Sequence, residues 1–414
     1  MTSKFTGFAQ RLIQFMQTAE RATDSDVCNG GTDAIFNELA LELFWLQYAH
    51  NPPYRRLCEA RGVSQQGPKH WAEIPAAPTV GFKEFEFSCL LPEERTTVFH
   101  STGTTGQNPS RHFHSAFSLR IYEASAWAWF RAKVLPDLVS AGAQQMVSAM
   151  PDEKPEKRPR TGHDFWRLLC LTPPPAQVPH SSLVHMFELI RRQCGFKDSV
   201  FAGRLTSDGA WMLDFNAACE VLKSASDQLQ PLVLLGTATL LVSLVDHLTK
   251  EKKHFNLAPG SRVMETGGYK GRVRMLPKAE LYALIAQRLS IPQSHIVSEY
   301  GMSELSSQAY DQSFALANDR SRPQNVSPSG IRCESLSKRP FRFPPWARVQ
   351  IVSPETGREA GLGETGLIRV FDLANIFSVL AVQTDDLGIM RPGGFELVGR
   401  AAFADARGCS LLAA

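Results

Sequence analysis

Long uninterrupted hydrophobic runs are missing from this 414-residue sequence. The most apolar stretch, 231–248, contains glycine, threonine and serine, and Asp246 interrupts its end. Because a membrane-spanning helix needs about 20 consecutive apolar residues, this stretch predicts a buried core element. The N-terminal segment 1–15 has neither the apolar region nor the small-residue cleavage site of a secretory signal. We therefore expect a cytoplasmic protein without a membrane span.

Excess charge of one sign and paired cysteines are also missing. The formal net charge is only +3, which is too small to predict nucleic-acid binding. The eight cysteines include no CxxC pair and no histidines at zinc-ligand spacing, so we expect reduced thiols. Seven of them fit small buried hydrophobic residues, and Cys409 stands apart near the C-terminal end. Hydrophobic residues make up 43% of the chain and charged residues 21%, as in globular proteins.

The periodicity of apolar residues predicts an α/β fold. Helical spacing dominates up to about residue 61, and the prolines of segment 74–85 indicate an extended conformation there. Further on, short apolar strands alternate with helices, which is typical of a parallel sheet covered on both faces. After residue 344 the pattern is rich in strands and turns. The predicted helices are 115–134, 183–192, 240–254 and 278–289, and the predicted strands are 232–235, 263–266, 295–300, 347–352, 366–373 and 394–399.

The strongest chemical motif is the run Ser101 to Gly106, STGTTG, in which every residue is a glycine or carries a hydroxyl group. Glycine lets successive backbone N–H groups point into one concavity, and the hydroxyls add donors around it, so the run predicts a polyphosphate-binding loop. An ordinary Ser/Thr/Gly turn is the alternative. No G-x-x-x-x-G-K-[ST] sequence occurs, which excludes a Walker A loop.

A second motif, SEYGMSELSSQ at 298–308, follows a strand-like segment. Glu304 offers the hard oxygen ligand that Mg²⁺ prefers, with the hydroxyls of Tyr300 and Ser303 nearby. The alternative is a strand-to-helix turn with Glu304 in the first helical turn.

Two acidic residues mark the third motif, VQTDDLGIM at 382–390. Asp385 and Asp386 are predicted to lie on a tight turn after a strand, where they could bind ribose hydroxyls or serve only as turn formers. Arg400 follows the next strand. The sequence GLGETG at 361–366 fits a dinucleotide-binding pattern, but it leads into a strand instead of a helix and so predicts a hairpin turn.

Taken in order, STGTTG, ETGGYK, YGMSE, TDDLG and a final GR followed by RG resemble the adenylate-forming superfamily of acyl-CoA synthetases and related ligases. The motifs span Ser101 to Gly408. Five further segments are similar to one branch, the acyl-protein synthetases of bacterial bioluminescence, which are the synthetase component of fatty acid reductase. These segments are NPPYRRLCEARGV, IPAAPTVGFKEF, HSSLVHM, LLGTA and GRAAFADARGCSL.

The resemblance implies a fold, two cofactors and a set of site residues. The fold is an adenylation core, with a helical N-terminal region (1–70), α/β subdomains at about 71–340 and a β-rich region at about 341–400. A short mobile tail, 401–414, stands in place of the usual lid domain. The cofactors are ATP and Mg²⁺. The implied residues are Ser101, Thr102, Gly103, Thr104, Thr105 and Gly106 around the phosphates, Gly267, Gly268 and Tyr269 at the adenine, Tyr300 and Ser303 near the adenylate and phosphates, Glu304 on Mg²⁺, Asp386 on the ribose, and Arg400 after it.

Departures from the family pattern accompany this resemblance. The lysine usual after the phosphate loop is replaced by the segment 108–111, in which Arg111 is the candidate substitute, and Asp385 stands where many relatives have glycine. By the resemblance, Cys409 accepts the acyl group as a thioester, and a partner acyl reductase receives it. A neighbouring cation, Arg407, would favour the nucleophilic thiolate.

The expected reaction is therefore ATP-dependent conversion of a carboxylic acid, in particular a long-chain fatty acid, to acyl-AMP, followed by transfer to a protein cysteine. Two alternatives remain: a ligase that uses a soluble thiol such as CoA, and a non-catalytic nucleotide-binding scaffold. Apolar residues such as Phe87, Phe99, Leu235 and Met264 fit either an acyl tunnel or core packing.

Overall fold

The computed structural model describes residues 3–21, 31–101, 108–136, 166–196, 198–207, 209–267, 276–311 and 339–401. Its helices are α1 (Ser3–Arg21), α2 (Gly31–His50), α3 (Pro52–Ala60), α4 (Gly81–Glu84), α5 (Ala116–Val134), α6 (Ser182–Cys194), α7 (Phe215–Asp227), α8 (Ala238–Lys250) and α9 (Lys278–Leu289). Side-chain caps fix several helix starts: the Asn51 side chain accepts from the Tyr54 N–H, Ser115 caps α5, and Thr237 caps α8.

The strands are β1 (Ala77–Pro78), β2 (Thr97–His100), β3 (Arg111–His114), β4 (Arg167–Cys170), β5 (Val200–Phe201), β6 (Gly203–Leu205), β7 (Trp211–Leu213), β8 (Leu232–Thr237), β9 (Arg262–Thr266), β10 (Ile296–Tyr300), β11 (Ala309–Asp311), β12 (Phe341–Arg342), β13 (Ala347–Val352), β14 (Thr365–Asp372), β15 (Ala381–Arg391) and β16 (Gly394–Arg400).

Within the described residues, twelve strands form one mixed sheet. Its order is β13-β14-β15-β16-β12-β11-β10-β9-β8-β4-β5, with β1 paired to β15. Along this order the neighbouring strands β10, β9, β8, β4 and β5 pair in parallel. The neighbouring pairs from β13 to β10 are antiparallel. Two further hairpins, β2–β3 and β6–β7, stand outside this sheet.

Helices cover both faces of the parallel strands. Helices α7, α8 and α9 pack on one face, and α5 and α6 pack on the other. The N-terminal helices α1, α2 and α3 instead share a core with β13, β14 and β15. This arrangement confirms the predicted α/β fold with a parallel sheet between two helical layers. No helix among the described residues is both long and apolar enough to cross a membrane.

Two local predictions are wrong. Segment 74–85 is extended only in its first half, because after Pro78 no further proline prevents the turn of helix α4. Asp385 and Asp386 do not lie on a tight turn: they lie inside strand β15, which pairs with neighbours on both sides. The predicted hairpin at 361–366 is confirmed, since it joins β13 to its antiparallel neighbour β14.

The cysteines are less uniformly buried than predicted. Cys58 and Cys170 are buried, whereas Cys89, Cys194 and Cys219 are only partly buried at the edges of the core clusters. Burial raises the pKa of the Cys58 thiol to about 11, so this thiol stays protonated at neutral pH. The others, Cys28, Cys333 and Cys409, lie outside the described residues.

The apolar residues considered for an acyl tunnel are all buried. Phe99, Leu235 and Met264 belong to the core under α5 and α6, and Phe87 belongs to the core of the N-terminal helices. Core packing accounts for their position.

Candidate functional site

The candidate site lies where the carboxyl ends of β9 and β10 meet the hairpin β2–β3 and strand β15. In open α/β sheets, ligands bind beyond the carboxyl ends of the parallel strands. Here β10 ends at Tyr300, and a turn, 301–308, leads into β11 without forming a helix. Glu304 therefore lies in a turn between strands, and not in the first turn of a helix as the alternative prediction had it.

A chain of hydroxyl groups connects the hairpin to this turn. The backbone N–H of Ser110 donates to the Ser101 hydroxyl at 2.9 Å, which closes the base of the loop between β2 and β3. The Ser110 hydroxyl lies 3.4 Å from that of Ser303, and the Ser303 hydroxyl donates to the Glu304 carboxylate at 3.1 Å. The structure thus brings together Ser101, Ser303 and Glu304, all of which the sequence predicted, through Ser110, which it did not.

Two further side chains hydrogen-bond the backbone of the turn. An imidazole nitrogen of His112 lies 2.8 Å from the carbonyl oxygen of Ser303, and the Asn375 amide donates to the carbonyl of Glu304 at 3.0 Å. His112 is fully buried, and burial lowers its pKa to about 4, so the ring is neutral at physiological pH. Neutral hydrogen-bonding groups therefore hold the turn in place.

Tyr300 joins the turn to strand β15. Its hydroxyl donates to the Asp386 carboxylate at 3.0 Å. The ring packs among Phe341, Phe343 and Phe395, with its centroid 5.6 Å from that of Phe395. Burial raises the pKa of Asp386, and the hydrogen bond from Tyr300 opposes that rise. The result is an acceptor carboxylate fixed beside an aromatic cluster.

A β-bulge in β15 determines where Asp386 lies. The register between β14 and β15 shifts between Leu367 and Arg369, so that extra residues of β15 face Ile368. The Thr384 hydroxyl donates to the carbonyl of Ile368 at 2.8 Å and accepts from the Asp386 N–H at 3.1 Å. At the bulge, Asp385 and Asp386 therefore depart from the regular strand pattern, in which successive side chains point to opposite faces of the sheet.

Arg400 lies across from Asp386 in the β15–β16 ladder. Its guanidinium approaches the other carboxylate, Asp385, at 3.9 Å, and its side chain is largely exposed. The Thr79 hydroxyl also donates to Asp385, at 3.4 Å. Asp385 and Arg400 therefore form the outer edge of the site, whereas Asp386 forms its wall.

Glu304 is almost completely buried. Burial raises the pKa of its carboxyl group, and hydrogen bonds from Ser110 and Ser303 together with the positive charge of Lys83 oppose the rise. Lys83 belongs to helix α4, in a segment predicted to be extended. No local pattern in the sequence signals its role, because the contact depends on how segment 77–84 packs against the site.

The base of the site contains a further carboxyl group. Glu299 of β10 is buried and accepts a hydrogen bond from the Thr266 hydroxyl at the end of β9. Burial raises its pKa to about 7. Gly267 follows with a positive φ of 68° and open space where a side chain would be. The predicted adenine-side residue Gly267 is therefore next to the same strand ends.

The remaining predicted residues concern the phosphate loop, the adenine and the acyl acceptor. Thr102 to Gly106, Gly268, Tyr269 and Cys409 lie outside the described residues. Arg111, the candidate substitute for the missing lysine, forms an ion pair with Glu86 at 3.1 Å. Among the described residues, no group of three or more His, Cys, Asp or Glu side chains is arranged as a metal site.

Comparisons with known proteins identify the fold. No protein-family model matches the sequence, and a search of curated proteins finds no match either. Among solved structures, a 2-hydroxyisobutyryl-CoA ligase in complex with 2-HIB-AMP and CoA matches with a TM-score of 0.58 and 14% identity, over 90% of this chain and 69% of the ligase. The same ligase in its postadenylation state matches with a TM-score of 0.56 and 13% identity.

In this second match the alignment covers 86% of the present chain but only 63% of the ligase. The chain thus spans somewhat less than two thirds of that ligase's length. A long-chain-fatty-acid-CoA ligase from Archaeoglobus fulgidus aligns with a TM-score of 0.44 and 18% identity, over 76% of this chain and 53% of the ligase. The described structure has the fold of the adenylate-forming CoA ligases.

Proposed function

We propose that this chain activates a carboxylic acid with ATP, forming acyl-AMP and pyrophosphate, and then passes the acyl group to a thiol. One observation carries the proposal. At the end of β10, the Tyr300 hydroxyl donates to the Asp386 carboxylate. The turn that follows connects Ser303 and Glu304 to Ser101, at the base of the hydroxyl-rich loop, through Ser110. The fold shared with a CoA ligase supports it.

The chemistry needs what these residues offer. A carboxylate is a poor electrophile, so its oxygen attacks the α-phosphorus of ATP, and the bond from that phosphorus to the pyrophosphate oxygen breaks. Charge grows on the departing pyrophosphate. In this proposal the N–H and hydroxyl donors of Ser101 to Gly106 stabilise that charge, with Thr104 at the centre of the loop.

The Asp386 carboxylate would accept hydrogen bonds from the ribose hydroxyls. Gly267, Gly268 and Tyr269 would border the adenine. Among the described residues, only Tyr300 hydrogen-bonds the Asp386 carboxylate, which leaves its second oxygen for the ribose. The hydrogen bond from Tyr300 orients the carboxylate in advance, so less freedom is lost when the nucleotide binds.

Glu304 fits an Mg²⁺ ligand by its chemistry. It is a hard oxygen donor, held by the Ser303 hydroxyl and kept from bulk water. Bound Mg²⁺ would neutralise charge on the phosphate oxygens. Because a protonated carboxyl group does not bind Mg²⁺, the Ser303 and Ser110 hydroxyls that lower the pKa of Glu304 favour the state that binds.

For the second step we propose Cys409 as the acceptor, on a tail, 401–414, beyond the adenylation core 1–400. Its thiolate would attack the acyl carbon, forming a thioester and releasing AMP. A fatty acid is the proposed substrate and an acyl reductase the proposed recipient. This step rests on the sequence resemblance.

A soluble thiol is the second candidate acceptor, because the ligase that matches this fold has CoA in its complex. Incubation with labelled fatty acid, ATP and CoA distinguishes the two. Cysteine acceptance predicts labelled protein in the parent chain and none in Cys409→Ser, whereas a soluble acceptor predicts labelled acyl-CoA and no difference between the two proteins.

Acid-dependent ATP–pyrophosphate exchange tests the first step. We expect exchange with fatty acids, measured across a panel of increasing chain length, and its loss in Thr104→Ala and Glu304→Ala. Glu355→Ala, which removes an exposed glutamate from the turn after β13, is the matched control and keeps full exchange. A chain that binds ATP but shows no exchange with any acid would be the nucleotide-binding scaffold instead.

A further inference from the structure

A cavity away from the candidate site lies at the junction of helix α3 with strand β14. It has a volume of about 400 Å³ and lies between the segment after α3 and the segment that leads into β1. Two arginines line it, Arg61 and Arg369. Ser64 and Ala76 also line it. None of these residues belongs to the candidate active site.

Neutral groups hold both arginines. Arg61, which caps the end of α3, donates to the carbonyl oxygen of Ala76 at 2.7 Å. Arg369 donates to the side-chain oxygens of Gln383 at 2.9 Å and Gln350 at 3.3 Å. These bonds fix the position of each guanidinium and leave its charge uncompensated. Within the described residues no carboxylate forms an ion pair with either one.

The two positive charges therefore oppose each other across one cavity. Burial lowers the pKa of Arg369, and the charge of Arg61 lowers it further. Glu73 also lines the cavity, but its carboxylate accepts from the backbone N–H of Lys69 at 2.8 Å. Two like charges share a half-buried pocket at a cost unless an anion lies between them.

We propose that this cavity binds a phosphate ester through Arg61 and Arg369. Each guanidinium presents a planar fork of N–H donors that matches the oxygens of a phosphate group, and two forks can share its oxygens. The cavity extends past the two arginines along Ser64 and the 74–76 segment, which leaves room for the organic part of an ester. The proposal does not depend on the adenylation activity.

Titration calorimetry at constant ionic strength tests this with two probes, inorganic phosphate and phenyl phosphate. We expect both to bind the full chain, and each of Arg61→Gln and Arg369→Gln to weaken binding by about tenfold or more. Arg358→Gln, which removes an exposed charge in the turn before β14, serves as the control and leaves both affinities unchanged.

The two probes also distinguish the source of the phosphate. Tighter binding of phenyl phosphate supports an ester, whereas equal affinities point to the free ion. Thermal unfolding of the variants checks that they are folded, and Arg61 is exposed enough that its replacement leaves the core intact. Equal affinities of parent and both arginine variants for both probes would overturn the proposal and leave the arginines to an acidic partner protein.

Discussion

The Tyr300 hydroxyl holds the Asp386 carboxylate in position. It is the direct link between the turn that carries Ser303 and Glu304 and the strand that carries Asp386. In the proposed reaction the hydroxyl acts through Asp386, so its value is to hold the carboxylate ready for a ribose.

We therefore expect Tyr300→Phe to lower the apparent affinity for ATP in the exchange reaction by about tenfold, because the partly buried Asp386 carboxylate loses a hydrogen bond worth about 1–3 kcal/mol. Tyr310→Phe is the matched control: its buried hydroxyl donates to the sulfur of Met186 at 4.0 Å and to no carboxylate among the described residues. An equal loss in both variants would show that the effect is structural.

The pH dependence of exchange gives a second residue-scale prediction. Burial raises the pKa of Glu304, and the hydrogen bond from Ser303 lowers it. Removing that bond in Ser303→Ala raises the pKa of Glu304 further. As the pH falls, Glu304 is therefore protonated, and the exchange activity is lost, at a higher pH than in the parent chain. The acid limb of the rate profile should move to higher pH.

Ser306→Ala supplies the comparison for that experiment. Ser306 is buried in the same turn, and its hydroxyl has no hydrogen-bond partner among the described residues. Its removal should leave the acid limb where it is. An unmoved limb in Ser303→Ala would mean that Glu304 does not set the pH dependence.

At the residue scale, the sequence predicted the hydroxyl and carboxyl residues that stand in recognisable motifs. Ser101, Tyr300, Ser303, Glu304 and Asp386 stand in recognisable motifs, and the structure brings them together. Ser110, Lys83 and Glu299 lie in or beside the same site, but the sequence did not single them out as site residues. Their roles depend on tertiary packing, which periodicity does not report.

Element boundaries followed the sequence closely where local signals were strong. Helix α9 begins and ends as predicted, at Lys278 and Leu289, and β13 covers the predicted 347–352. The acidic pair in β15 was misplaced because Asp and Gly favour turns in isolation. Pairing with both β14 and β16 overrides that preference, and a bulge accommodates the pair inside the strand.

The bulge makes an element-scale prediction. Thr384→Val removes a hydroxyl that bonds both Ile368 and the Asp386 N–H. We expect about 1–2 kcal/mol lower free energy of unfolding and a several-fold higher KM for ATP in exchange, because Asp386 is no longer held at a fixed position. Thr365→Val, at the exposed start of β14, should change neither quantity. An unchanged KM in Thr384→Val would separate the bulge from nucleotide binding.

At the scale of the whole molecule, one sheet carries both the parallel and the antiparallel strands. The sequence predicted both patterns, but no local feature indicated that β11 and β12 would join them into one continuous sheet. Consequently the candidate site lies at the carboxyl ends of the middle strands of a single sheet, and Glu299 of β10 is buried there.

Glu299 should make the stability of the molecule pH-dependent. Its pKa is raised to about 7 in the folded state, so the folded chain holds a proton that the unfolded chain releases at lower pH. The stabilisation is present below the ordinary carboxyl pKa and is lost as pH rises towards 7, by on the order of 3 kcal/mol.

Chemical denaturation of the parent chain and Glu299→Gln between pH 4.5 and 8 measures this effect. The amide mimics the protonated acid and should reduce the decline in unfolding free energy; Asp372, whose pKa burial raises to about 6, contributes to the decline in both proteins. Parallel pH profiles for the two proteins would show that Glu299 does not titrate in this range.

The central claim is that the loop beginning at Ser101, Glu304 and Asp386 act on one ATP. A crystal structure of the chain with ATP and Mg²⁺ tests it most directly. We predict the phosphates against Ser101 to Gly106, the cation on Glu304 and the ribose hydroxyls within hydrogen-bond distance of Asp386. An ATP molecule bound away from these three regions would contradict the claim.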